Sequence, residues 1–528
     1  MLNLELRPHH FSSNIHELCL ITVACMSLFL NQGGITMVLS TMNIIFDSFA
    51  ESGHIDQSKK VWFMSSFSLT VGTFILISGK IGDLFGLKRV FTVGWFWCSF
   101  WSLISGFSVY SKSVIFFIIC RAFQGIGFAL LLPCGMGILG SLYTTGERKN
   151  LVFGIAGACG PTGATIGYLM AAVVGQLTWW PWEFWLMSIT CFLFGIFSIF
   201  VVPDIQPKKY TLREKIARLN ILGSSTGVIG LILLNFVWIQ GPVAGWNSPF
   251  IIVLLVLSIV LMVAFFYLDL NVVEFPLLPK SIYNIRIALV LLCIGLGWGS
   301  FGIWQFYFVN INLNLRNYTP IQVGLTYIPL LVGGVIASLV ASVVVSRTKP
   351  SYIIMFCSLC FTGGIVCLAV MPEQQSFFKI SLGQMIILCW ALDMSFPVAS
   401  IILSDFLPLE LQGMAGSLVS TVINYSISLF LGISSTVEVE IHKKTDSTFQ
   451  SYRAGIYFGV GVAVLGIFFS IAFLICQKND IKGTFVNRIE TNEDEDEEIK
   501  KQENYTESVT TTSEIEQVSS SEENSKAE

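Results

Sequence analysis

"WFMSSFSLTVGTFILISGKIGDLFGLKRVFTVGWFWCSFWSLISGF", residues 62–107, joins two long apolar runs through the short charged stretch "GKIGDLFGLKRV", residues 79–90. At ~1.5 Å of rise per residue, a helical run of about twenty residues crosses a hydrocarbon core about 30 Å thick. Only helices and closed barrels satisfy their own backbone polar groups in lipid. The stretch therefore reads as a helical hairpin that crosses a membrane twice, with Asp83, Lys88 and Arg89 in the turn outside the oil.

The same reading extends along the chain. Of its 528 residues, 54% are hydrophobic and 12% charged, with 43 Phe and 13 Trp; a soluble domain carries about a quarter charged residues. Fourteen apolar runs follow one another, near residues 17–40, 62–80, 90–109, 113–133, 151–175, 183–202, 220–240, 249–268, 286–310, 321–346, 351–371, 379–404, 412–436 and 455–476. The expected fold is an all-α polytopic membrane protein. An even number of spans puts both termini on one side. The loops after spans 2, 4, 6, 8 and 10 hold fourteen Lys and Arg against eight in the opposite loops, which predicts cytoplasmic termini and a cytoplasmic 79–90 loop. No cleavable signal is expected, because the first run is long enough to remain as a span.

All thirteen Cys fall in or beside the spans, so no disulfide framework is expected, and "CSLC", Cys357–Cys360, reads as two small helix residues one turn apart rather than a metal pair. From Glu490 onward the chain holds 14 Asp and Glu against 3 Lys, a net −11. Such a segment cannot bury enough apolar surface to fold. It reads as a solvated acidic tail, with phosphorylation as the regulatory alternative.

Ionisable groups in the oil are costly and point to function. Arg121 lies inside span 4 with Gln124 one turn on, on the same face. It suits either a structural Arg satisfied by neighbouring carbonyls or a ligand for an anionic group. Asp393 lies near the middle of span 12, on a stripe with Trp390, Pro397 and Ser400. A carboxyl at that depth costs less to hold neutral than charged, which suits it to take and give a proton; the alternative is a carboxyl permanently protonated and bonded to a neighbouring helix. Gln32, Thr36, Ser40 and Asn43 form a polar stripe on span 1, and Trp298, Gly302 and Gln305 one on span 9; either lines a cavity or joins helices. Ser417, Thr421, Asn424 and Ser428 on span 13 read as helix glue. No His falls in any span, which excludes a histidine relay. No P-loop, metal-ligand cluster, catalytic triad or basic nucleic-acid surface occurs. The expectation is no enzyme, no cofactor, no metal and no nucleic-acid partner.

These residues carry a resemblance. "GKIGDLFGLKR" resembles the loop signature of the major facilitator superfamily, G-x-x-x-D-R-x-G-R-[KR]-[KR], through Gly79, Asp83, Gly86, Lys88 and Arg89; Leu84 and Leu87 replace two of its basic residues. "RAFQGIGFA" is similar to the span-4 motif R-x-x-Q-G-x-G through Arg121, Gln124, Gly125 and Gly127. "GACGPTGATIG" resembles part of the antiporter motif, with Gly160 and Pro161 supplying its kink and Ala156, Ala164 and Thr165 where glycines are usual. With fourteen spans and "NFVWIQGPVAGW" in the seventh, the chain resembles the fungal drug:proton antiporter branch, and within it "PLLPKSIYN", "DMSFPVASIILSD" and "LVSTVINYSISLFLGI" resemble the yeast aminotriazole-resistance group, which includes boron exporters and a low-affinity ammonium facilitator.

That resemblance implies a major facilitator fold with 14 transmembrane helices: two six-helix halves plus two inserted helices. The implied divisions are a cytoplasmic N-terminus, 1–16; an N-terminal half, 17–202; a linker and inserted pair, 203–285; a C-terminal half, 286–476; and the acidic tail, 477–528. Spans 1, 4, 9 and 12 would line the cavity, bringing Gln32, Thr36, Arg121, Gln124, Trp298, Gln305 and Trp390 to the solute and Asp393 to the proton. Gly79, Asp83, Gly86, Lys88 and Arg89 would form the conformational gate, Asp83 accepting hydrogen bonds or pairing with cations across the half interface; the alternative is that these charges only set topology. The corresponding loop of the second half, "VVVSRTKPS", has no Asp, so the first would act alone. The expected activity is proton-coupled export of a small polar solute or drug by alternating access. A passive facilitator of ammonium or boric acid and a transport-dead sensor are the alternatives. Expected partners are a small-molecule solute, protons and the lipid bilayer. The protein is expected to be a monomer in the plasma membrane, with the vacuolar membrane as the other site.

Overall fold

A computed structural model describes residues 13–50, 59–143, 147–204, 210–278, 280–344, 348–406 and 412–477. Fourteen helices are long and apolar enough to cross a membrane: α1 Asn14–Phe49, α2 Lys60–Phe85, α3 Leu87–Ser111, α4 Val114–Leu142, α5 Leu151–Leu177, α6 Pro181–Val201, α7 Leu212–Ala244, α8 Pro249–Val272, α9 Ile285–Leu315, α10 Pro320–Ala341, α11 Pro350–Val370, α12 Ile380–Leu403, α13 Gly416–Thr445 and α14 Thr448–Gln477. The chain divides into Met1–Ile471 and Ala472–Glu528. The second unit adds only the end of α14 to the described residues, so the acidic tail and Arg347 lie outside them.

Several helices outrun the apolar runs that announce them, because their polar ends are satisfied by neighbours. Beyond residue 40, α1 continues through Thr41, Asn43 and Ser48, which bond to Glu183, Asn314 and Trp180. Likewise α13 passes residue 436 because Glu438 accepts from the Tyr307 hydroxyl at 2.8 Å and Lys443 donates to the Pro242 carbonyl. These extensions also bring His16 and His442 into helix ends, where the sequence placed no histidine; His16 Nε2 lies 2.8 Å from the Val201 carbonyl oxygen. α7 starts as a short amphipathic turn, Leu212–Leu219, held by a Thr211–Glu214 capping box. Asn220, at φ 48°, then redirects the chain into Ile221–Ala244.

Helices α1–α6 and α9–α14 form the two halves, with α7 and α8 inserted between them in sequence. Within the first, α1 packs on α5, α2 on α4, and α3 on α4 and α6; in the second, α9 packs on α13 and α12 on α10 and α11. The halves meet along α2 with α13 and α5 with α10. At the α2–α13 seam a Cβ on Gly72 would lie 2.5 Å from the Tyr425 nitrogen, so only glycine admits this approach. Polar ties then fix α7 on α13: Tyr425 Oη donates to the Leu231 carbonyl, Ser428 Oγ to Asn235 Oδ1, and Thr436 Oγ1 to the Trp238 carbonyl. The span-13 stripe thus works as glue at Ser428. Farther out, α8 turns Val253, Val256, Ile259, Val260 and Val263 outward. An exterior this apolar is a lipid-facing surface.

Candidate translocation site

Asp393 is 8% exposed, and its Oδ2 has no hydrogen-bond partner among the described residues. It sits on α12 against Gly334 of α10: a Cβ at Gly334 would lie 2.7 Å from Asp393 Oδ2 and 2.9 Å from Cβ of Pro161 on α5. A carboxyl from one half, a glycine that admits it and the kink proline of the other half therefore converge at one point. Residue spacing does not reveal Gly334 as the third member; the "GG" at 333–334 is the only signal, and small residues are common in membrane helices.

The other candidates separate into distinct environments. Arg121 is fully buried, its guanidinium bonded to the Gly34 carbonyl at 2.6 Å, the Phe63 carbonyl at 3.4 Å and Gln124 Oε1, with the Phe67 ring 4.5 Å below. Gln124 Nε2 passes the chain to Ser102 Oγ. These groups tie α1, α2, α3 and α4 together. Thr36 Oγ1 donates to the Ala164 carbonyl at 2.8 Å, joining α1 to α5, and Gln32 beside it is half-buried. Trp298 Nε1 donates to Ser395 Oγ and its ring meets Phe361, so it packs between α11 and α12. Trp390 turns to Phe356 of α11. The Gln305 side chain is buried and forms no hydrogen bond with another described residue.

Sequence reading passed over Glu183. It stands in the first turn of α6, 4% exposed, with Oε2 accepting from Thr41 Oγ1 at 2.9 Å and Oε1 unpartnered among the described residues. A carboxyl in a first turn is commonly a dipole partner, and only the fold buries this one. Also missed are Tyr168 and Tyr327, whose rings stack 5.2 Å apart between α5 and α10.

The two ends of the bundle differ. At the end carrying Asn43, Asn43 Nδ2 donates to Asn314 Oδ1 at 2.7 Å, Lys60 Nζ to Asn43 Oδ1, and Asn314 Nδ2 to Tyr452 Oη, while the Ile321 amide bonds to Gln176 Oε1. The Asn43–Asn314 and Ile321–Gln176 bonds cross between halves, and Lys60 and Tyr452 hold the two asparagines from their own sides. At the end carrying Gly86, Gly154, Gly157, Gly160 and Gly416 have open space where a side chain would stand. Gly160 of the antiporter-like stretch is thus free of packing while Pro161 carries the contact.

Gly86, at φ 104°, makes the turn between α2 and α3, a conformation that favours glycine. Asp83 is exposed and, among the described residues, forms no ion pair across the halves. Instead the loop is tied to the linker and the inserted pair. Lys88 lies 3.8 Å from Asp204, and Lys80 Nζ donates to the Phe275 and Pro276 carbonyls at 3.2 and 2.7 Å. Arg218 lies between the Tyr210 and Phe275 rings, 4.2 and 4.3 Å from them. Gly79 approaches the second half at Ser417 Oγ, and Arg89 is exposed. Lys80 and Lys88 are thereby committed to the linker. Arg148, a topology charge in sequence, pairs with Glu17, which also accepts from Tyr143 Oη. The Glu17 carboxylate raises the Arg148 guanidinium above its ordinary value, so this Arg stays charged across the physiological range.

Fourteen apolar helices in two halves, closed on each other at one end, define a multi-pass membrane transporter. The chain belongs to the Major Facilitator Superfamily, whose pattern matches residues 24–432. It is 42% identical over 480 residues to the aminotriazole resistance protein of Saccharomyces cerevisiae, covering 90% of this chain and 87% of that one. To the low affinity ammonium transporter of the same yeast it is 42% identical over 471 residues, covering 89% and 90%. Its fold matches the crystal structure of the peptide transporter POT in complex with sulfate, with TM-score 0.63, 15% identity and coverage of 89% and 95%.

Proposed function

We propose that the protein exports a small polar solute across the plasma membrane in exchange for protons, by alternating access with Asp393 as the proton-carrying group. The observation that carries this reading is the buried Asp393 Oδ2, unpartnered among the described residues, beside Gly334 where Pro161 of the other half also approaches. A buried carboxyl without a partner is far cheaper neutral than charged, so its charging and discharging would bias how the halves pack. The halves would rock about this point while Gln32, Thr36, Trp298, Gln305 and Trp390 contact the solute or shape its cavity. Arg121 and Gln124, enclosed by their own half, would keep that half rigid and sense Asp393 electrostatically. Gly79, Asp83, Gly86, Lys88 and Arg89 would act as a gate through the linker. The Lys and Arg distribution supports cytoplasmic termini, so the open Gly86 end would face the cytoplasm.

The test is export of aminotriazole from loaded cells against its gradient. Asp393→Asn is expected to abolish it, and export that keeps its dependence on external pH in this variant would refute the reading. The likeness to a low affinity ammonium transporter supports a second reading, a passive facilitator. Flux of methylammonium indifferent to an imposed pH gradient would favour that reading.

A further inference from the structure

Along the seam between α5 and α10, Tyr168 and Tyr327 lie seven residues from Pro161 and Gly334, respectively. Seven residues are about two turns, so each tyrosine shares a helix face with its partner and stands about 10 Å nearer the closed end. Their rings stack across the two halves, 5.2 Å apart and inclined by 20°. Behind them Trp304 contacts Tyr327 and donates to Gln384 Oε1 at 3.0 Å. Tyr168 is 0% and Tyr327 1% exposed, yet among the described residues neither hydroxyl has a hydrogen-bond partner, nor has Gln384 Nε2.

A plug needs only the rings. The chain uses Phe three times as often as Tyr, 43 against 14, and a buried hydroxyl without a partner costs free energy that a Phe at the same place would not incur. Two such hydroxyls, one from each half, on the seam leading to the carboxyl have a purpose if their partner is water admitted when this end opens. We propose that the Tyr168–Tyr327 pair is the proton portal of Asp393: stacked, it shuts the seam, and parted, its hydroxyls hold the water chain that reloads the carboxyl. Each hydroxyl accepts a proton from one water as it passes its own to the next, and the Asp393 carboxylate takes up the last, so no group is oxidised or consumed. The titratable groups along the seam are Asp393 and Cys389 of α12, Tyr327 of α10 and Tyr168 of α5, with Cys360 of α11 beside Cys389. Tyr168 and Tyr327 relay the proton directly, and their role rests on the reading of Asp393 given above.

The experiment compares Tyr168→Phe/Tyr327→Phe, which keeps both rings, with the wild type and Asp393→Asn in cells loaded with aminotriazole and matched for protein in the membrane. The double variant is expected to lose about tenfold in uphill export and to respond weakly to external pH, the effect of a few lost hydrogen bonds. Its downhill efflux at equal pH should persist, and each single variant should fall between. Wild-type export and pH response in the double variant, with Asp393→Asn dead, would overturn the portal and leave the function standing. Loss of downhill efflux as well would overturn it in favour of a purely structural stack. Wild-type export indifferent to external pH would instead refute the Asp393 reading itself.

Discussion

The two ends of α5 are built alike and packed differently. Toward the Asn43 end, Gly167 lies on α1 so closely that a Cβ would come within 2.4 Å of the Gly33 Cα, and Tyr168 stacks on Tyr327 of the other half. Toward the Gly86 end, Gly157 and Gly154 share the face of Pro161, one and two turns away, and a Cβ on either would meet nothing within 4 Å. One helix therefore reports a molecule sealed at one end and unsealed at the other. Alternating access requires that difference to reverse. Small residues at the open end are what would let α5 close there, as Gly167 lets it pack at the sealed end.

The comparison can be broken in stages. The largest expected effect is that of Asp393→Asn at the pivot, a loss of uphill export of about 100-fold or more, as for removal of a proton-transfer group. Next come the same substitution at the two ends of α5. Gly167→Leu forces α1 and α5 apart and is expected to cost about 1–3 kcal/mol or more, seen as a lower midpoint in thermal unfolding. Gly157→Leu should leave that midpoint unchanged and slow export about tenfold by blocking closure, a loss of ~1.4 kcal/mol. Equal destabilisation by both would mean that the two ends do not differ as described.

A smaller effect is expected from Asn314→Leu. It removes the bond to Asn43 and the donor to Tyr452, worth about 1 kcal/mol each. A cysteine placed at the sealed end should then react several-fold faster with an impermeant thiol reagent. Asp83→Asn should have the smallest effect, since Asp83 has no partner across the halves among the described residues. It is expected to slow transport less than about tenfold without altering which solute is carried, and altered selectivity would show that the loop belongs to the site rather than to the gate.

Some of this was legible in sequence. Arg121 and Gln124 shared a predicted face, and they are bonded to each other; the 79–90 stretch was read as a turn, and Gly86 within it has a positive φ. Asp393 stood out because a carboxyl in an apolar run has no local partner to excuse it. Its setting was not legible. Trp390 lay on its stripe, but Trp390 turns to Phe356 while Asp393 turns to Gly334, because helical spacing gives a face and not the neighbour that face meets. Glu183, Tyr168 and Tyr327 carried no local anomaly and acquired meaning only through burial.

The sequence by itself determined that the chain crosses a membrane fourteen times, because hydrophobic length is a local property that lipid tests residue by residue. It also determined which polar groups are expensive enough to be noticed. Only the tertiary structure decided which of them meet. Arg121 is enclosed by three carbonyl and amide oxygens of its own half, while Asp393 is left without a partner on the seam between halves. The reason is physical: the cost of burying a polar group is set by its own chemistry, whereas its compensation comes from residues far away in the chain, brought near only when the helices pack.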